Sequence, residues 1–143
     1  MSKSNIFEND LLKLIFNGTP IANIADNSSV SPLTNLYLSL HTADPGEAGD
    51  QTTNEISYVG YNRVAVPRNS LGWTVTNNIV RPTDSIDFGV MTDGTPNTVT
   101  HVGFGTAVSG VGKLLYIGTI SPNISVAVGV APRVSSSSTI TED

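Results

Sequence analysis

Apolar and polar positions alternate most cleanly at residues 36–41, where Leu36, Leu38 and Leu40 interleave with Tyr37, Ser39 and His41. Period-two alternation of this kind predicts a half-buried strand, here a central one. Shorter strand candidates follow. Val64 and Val66 precede Pro67, which ends a ladder; Trp73 and Val75 lead into the Asn77-Asn78 turn; Ile86 and Phe88 flank Asp87. Val102 and Phe104 alternate with His101 and Gly103, "GKLLYIGTI" reads as a buried run, and Ile124, Val126 and Val128 share one face. "SSTITED" supplies a last strand, at an edge. Turn signals separate these segments at Asp44-Pro45-Gly46, Asn69-Ser70, Asp93-Gly94, Ser109-Gly110 and Ser121-Pro122-Asn123. Only the N-terminus breaks the rule. Phe7, Leu11, Leu14 and Ile15 recur at helical spacing, and Gly18 stands where a helix stops, which predicts a helix from about Asn5 to Asn17.

The pattern predicts an all-β fold, a jelly roll or β-sandwich of about seven to nine short antiparallel strands with one short N-terminal helix. Residues 1–35 read as helix and connector arm, the connector holding a short strand or helical turn, and residues 36–143 as the β domain, one globular domain in all. No fixed-period repeat suggests a propeller or solenoid.

Composition sharpens this picture. Charged residues make up only 13% of the 143 positions while glycine supplies 13 of them, a mix suited to short strands and many turns. The formal charge is −5, and Lys3, Lys13, Arg63, Arg68, Arg81, Lys113 and Arg133 are too scattered for a nucleic-acid surface, which depends on clustered cations. Zero cysteines exclude disulfides, thiolate metal sites and thiol nucleophiles. Glu8 and Asp10 interrupt any signal-peptide core, so synthesis in a cytoplasm without an export signal of its own is expected, with no membrane partner.

Candidate chemistry is sparse. His41 and His101 lie on the less apolar sides of their strands, outside any nucleophile or zinc motif, and read as structural or surface histidines. The loop 42–55 carries Asp44, Glu47, Asp50 and Glu55 without a cation, and Asp44, Glu47 and Asp50 are the weak metal candidates. Their spacing does not fit a calcium loop, so a solvated, outward-facing contact loop is the preferred reading. Asp84 and Asp87 lack the aromatic surroundings of a sugar cleft. The glycines of "VGFGTAVSGVG" fall among strands rather than before a helix, which points to bulges, turns or close approach of a neighbouring chain. No catalytic residue, cofactor or enzymatic activity is expected.

Three strings are specific: Leu40-His41-Thr42-Ala43-Asp44-Pro45-Gly46, then Thr53-Asn54-Glu55, then Tyr58-x-x-Tyr61-x-Arg63-Val64. With "GWTVTNN", "THVGFGTA" and the closing "ITED", the chain from residue 34 onward resembles a family of small virion proteins of tailed phages and prophages, often labelled tail fibre proteins. Related small all-β proteins serve as capsid decoration or cement. The resemblance implies a virion structural protein and brings no catalytic residues. The expected role is capsid decoration, with the major capsid protein and copies of itself as partners (a homo-oligomer, a trimer favoured); the alternative is a tail-fibre or tail-tip component contacting a receptor or glycan. The helix, the connector and the C-terminal "APRVSSSSTITED" are the segments expected to reach a neighbour, so that loss of residues 1–18 weakens assembly more than the β core.

Overall fold

A computed structural model describes residues 3–21 and 32–142. The middle of the expected connector, residues 22–31, lies outside the described residues. The fold is all-β with one N-terminal helix, consistent with a β-sandwich: nine strands occur among the described residues, and the β1–β6, β6–β7, β3–β4, β4–β9 and β5–β8 pairs are antiparallel. The strands are β1 (Asn35–His41), β2 (Val64–Pro67), β3 (Trp73–Thr76), β4 (Ile79–Pro82), β5 (Ile86–Asp87), β6 (Asn97–Gly105), β7 (Leu114–Val126), β8 (Arg133–Val134) and β9 (Ile140–Thr141). The chain forms two compact units interleaved in sequence. One comprises residues 1–35, 67–85 and 135–143, the other residues 36–66 and 86–134.

The first unit contains α1 (Asn5–Phe16) and the three-stranded sheet β3-β4-β9. Ser4 caps the helix by accepting the Phe7 N–H, and Glu8 and Lys13 sit at the ends that the helix dipole favours. Gly18, at φ +65°, ends it, with Thr19 N–H returning to the Lys13 carbonyl. Arg68 covers the same terminus, donating to the carbonyls of Leu14 at 2.8 Å and Ile15 at 2.6 Å. The buried stripe is Glu8, Leu12 and Phe16, not the Phe7-Leu11-Leu14-Ile15 stripe that spacing alone predicts. Phe16 decides the helix's rotation, because its ring meets Trp73 edge-on at 4.8 Å, leaving Phe7 exposed. β4 escapes sequence reading altogether. It pairs with β3 across the two-residue Asn77-Asn78 turn, in which Asn77 takes φ +54°, and β9 pairs with its other edge.

The second unit contains the four-stranded sheet β2-β1-β6-β7 and the β5-β8 pair. β1 is central, as its alternation predicts. The register Leu38↔Phe104 and Leu40↔Val102 gives these apolar side chains one face, and Ser39↔Gly103 and His41↔His101 the other. Both faces are covered: Leu38, Leu40, Ser39 and His41 are all 0% exposed. The "GKLLYIGTI" run is half-exposed rather than buried, because β7 lies at the sheet edge. Its expected Ser121-Pro122-Asn123 turn is no turn. Pairing passes from Val99↔Ile124 to His101↔Thr119, so residues 120–123 bulge opposite the single Thr100 and one strand replaces two. Val128 lies beyond the strand and is exposed. No helix among the described residues is long and apolar enough to cross a membrane.

Candidate functional site

The loop between β1 and β2 is held from beneath by three groups of buried polar side chains, all within the second unit. The first group is formed by the Thr53-Asn54-Glu55 and Tyr58-x-x-Tyr61-x-Arg63 strings. Arg63 grips Glu55 with two bonds, Nε to Oε1 and Nη2 to Oε2, each 2.7 Å, and its Nη1 donates to the Ala107 carbonyl at 2.9 Å. Tyr61 donates its phenolic proton to Glu55 Oε1 at 2.8 Å and accepts the Leu40 N–H at 3.1 Å. Burial pushes the Tyr61 phenol above its ordinary range, and hydrogen bonding to Glu55 raises the Arg63 guanidinium. A planar fork matched to a carboxylate is the geometry arginine supplies and lysine does not.

The second group centres on His41. Nδ1 lies 2.8 Å from the Thr53 carbonyl, which only accepts, so Nδ1 carries the proton; Ser39 Oγ, 2.8 Å from Nε2, then donates to that nitrogen. Burial lowers the imidazole pKa from its ordinary value, so His41 is neutral at pH 7. Both ring nitrogens are engaged in holding the chain, which leaves neither for a substrate proton or a metal. His101, its cross-strand neighbour, is half-buried with Nδ1 2.8 Å from Thr100 Oγ1.

Gln51 forms the third group and is 0% exposed. Its Nε2 donates to the Tyr37 carbonyl at 3.2 Å, its Oε1 accepts the Ala107 N–H at 2.9 Å, and its own N–H reaches the Gly112 carbonyl at 3.2 Å. Room for it comes from glycine. A Cβ on Gly105 would stand 2.0 Å from Gln51 Cδ, and one on Gly112 would stand 2.1 Å from Gln51 Oε1. A Cβ on Gly103 would stand 2.7 Å from His41 Nε2. Gly103, Gly105 and Gly112 therefore make room for side chains of their own chain.

The acids expected to face outward serve the loop unevenly. Asp44 and Glu47 are exposed, and Asp44 Oδ1 accepts the Gly46 N–H in a local turn. Asp50 Oδ1 accepts from both the Oγ1 and the N–H of Thr52, bonds that lower its pKa. Glu55 departs from expectation: it is the buried arginine's partner, not a solvated loop acid. Among the described residues no three acidic or histidine side chains gather as metal ligands, so Asp44, Glu47 and Asp50 are not brought together. Asp87 is held across the β5–β8 pair by Arg133 (Nη2 to Oδ2, 3.0 Å), and that hydrogen bond lowers its pKa. Sequence reading missed Gln51 entirely; the signal was Gly105 and Gly112, whose missing side chains make space for it.

The supports also fix the β6–β7 hairpin. Ala107 is bonded through both its N–H and its carbonyl, Gly112 through its carbonyl, and Thr106 N–H to the Lys113 carbonyl at 3.1 Å. Between these anchors Val108 and Val111 stand 61% and 78% exposed, with Gly110 at φ +69° turning the chain. Loop 42–55 and this apolar tip thus share one buried scaffold. It presents small polar, acidic and aliphatic groups outward.

Residues 2–141 match the family described as podophage GP4 fiber I protein gp80. The chain belongs to this family. It is therefore a structural protein of a tailed phage and a component of the virion. No curated protein gives a significant match.

Proposed function

We propose that this chain is a component of the podophage tail fibre apparatus that works by binding, not by catalysis. The observation carrying this reading is the family match over residues 2–141, nearly the full chain, to a description that names a fibre. The scaffold under loop 42–55 supports it. The residues in the three specific strings spend polar groups within their own chain, as Arg63 does on Glu55 and Ala107 and His41 on Ser39 and Thr53. What they hold outward, Asp44, Glu47, Val108 and Val111, is an exposed acidic and aliphatic surface open to a partner. Its partners are other virion proteins, copies of this chain or a receptor on the host. The capsid-decoration role expected from sequence rests on no comparable match, so the tail placement takes precedence.

Gold-labelled antibody against this chain, imaged on intact virions, tests the placement. Label confined to the tail is the expected result; label spread over the capsid shell would return the protein to a decorating role.

A further inference from the structure

β7 closes one side of the four-stranded sheet, and β2 closes the other. Such edges carry backbone donors and acceptors ready to pair with another strand, and proteins ordinarily blunt them with shortness, charge or proline. β2 is blunted, being four residues long and ending in Pro67, which lacks an N–H. β7 is not. It runs 13 residues, Leu114–Val126, without one charged side chain, and Pro122 falls in the bulge beyond its straight portion. Along that portion Leu114, Leu115, Ile117 and Ile120 are each half-exposed.

We propose that the β7 edge over residues 114–120 is a self-association surface, on which β7 of a second copy pairs antiparallel about a two-fold axis at Ile117. Three features select a second copy as occupant. A two-fold interface requires one edge used twice, and among the described residues this sheet leaves one such edge, β7, unguarded. The edge carries no charge with which to select a charged partner, whereas an identical uncharged strand meets it without leaving an unpaired ion. The register about Ile117 also sets Tyr116 of one copy opposite Gly118 of the other. A Cβ on Gly118 would meet nothing within 4 Å, and an aromatic ring over a strand glycine is a stabilising cross-strand pair. Head-to-tail pairing of β7 with β2, the arrangement a cyclic trimer would need from this sheet, is limited to four residues and stopped by Pro67. The inference is thus a pair, in place of the trimer that the sequence-level resemblance favoured, and it holds for either location in the virion.

Sedimentation equilibrium of the full chain, alongside the double variant Leu115→Lys/Thr119→Lys, tests this. In the proposed register position 115 faces position 119 of the second copy, so lysine meets lysine at both pairs. The wild type should weigh as a dimer, and the variant should shift toward monomer with dimerisation weakened about 10-fold or more and an unchanged circular dichroism spectrum. A wild type that is monomeric or trimeric, or a dimer indifferent to the lysines, would overturn the proposal. Should the lysines unfold the chain, Ile117→Cys decides. The sequence has zero other cysteines, so mild oxidation must yield a covalent dimer at position 117, and failure to cross-link would sink the two-fold register.

Discussion

Arg63 illustrates how single residues in this chain carry structure. Its side chain is 2% exposed and its carboxylate partner Glu55 16%. Removing one member of so buried a pair strands the other, at a cost of about 3–5 kcal/mol. Arg63→Ala should therefore lower the unfolding free energy in urea by that amount, while Lys113→Ala, at an exposed site, should stay within about 0.5 kcal/mol. Gly105 makes a sharper case because its role is to be absent. Gly105→Ala drives a methyl into Gln51 and should cost about 1–3 kcal/mol, with much of the loss disappearing in a Gln51→Ala background. Additive losses would mean the two positions do not share that space. His41 gives a pH signature. Its folded pKa lies below the unfolded value of about 6.5, so below that pH the unfolded chain binds more protons and stability declines as pH falls. Chemical denaturation between about pH 6.5 and 5 should show this decline, at most about 1.4 kcal/mol per pH unit for one group, and His41→Gln should flatten it. The carboxylates held low, Asp50 and Asp87, act only at lower pH.

At the scale of elements, the helix and, within the acidic loop, Glu55 behave differently from what their sequences suggest. Phe7 belongs to the stripe that helical spacing predicts yet is exposed, while Leu12 and Phe16 are fully buried. Nothing in helical periodicity alone ranks one stripe over the other; the choice is made by Trp73, 57 positions along the chain from Phe16. Phe16→Ala should accordingly cost about 3–5 kcal/mol by thermal or urea unfolding. Deleting residues 1–18 should unfold the β3-β4-β9 sheet rather than spare it, contrary to the expectation that assembly suffers first. In the acidic loop, Asp44→Asn and Glu47→Gln should leave the melting temperature essentially unchanged, whereas Asp50→Ala should lower it by removing the acceptor for both Thr52 donors. Strands β1 and β6 were legible because their side chains alternate along a central position. β4 was not, because four residues with Arg81 and Pro82 among them carry too little pattern. β7 was misjudged because an apolar run looks alike at a sheet edge and at its centre; strand order settles the matter, and sequence does not encode it locally.

For the whole molecule, the three specific strings announced a phage virion family before the reason for their residues was visible. Their spacing is the spacing of a buried scaffold: Glu55, Tyr61 and Arg63 converge in space with Leu40 and Ala107, from segments up to 67 positions apart. The scaffold holds loop 42–55 and the β6–β7 tip, the surface we propose for contact, without itself being exposed. The family match over residues 2–141 then makes the protein a virion component, and the fibre description places it, in our reading, at the tail. Copy number separates tail from capsid most directly. Quantitative mass spectrometry of purified virions, measured against the major capsid protein, should give a small fixed number of copies set by tail symmetry. A ratio approaching one copy per capsid subunit would contradict the tail-fibre assignment and identify a lattice-binding decoration protein.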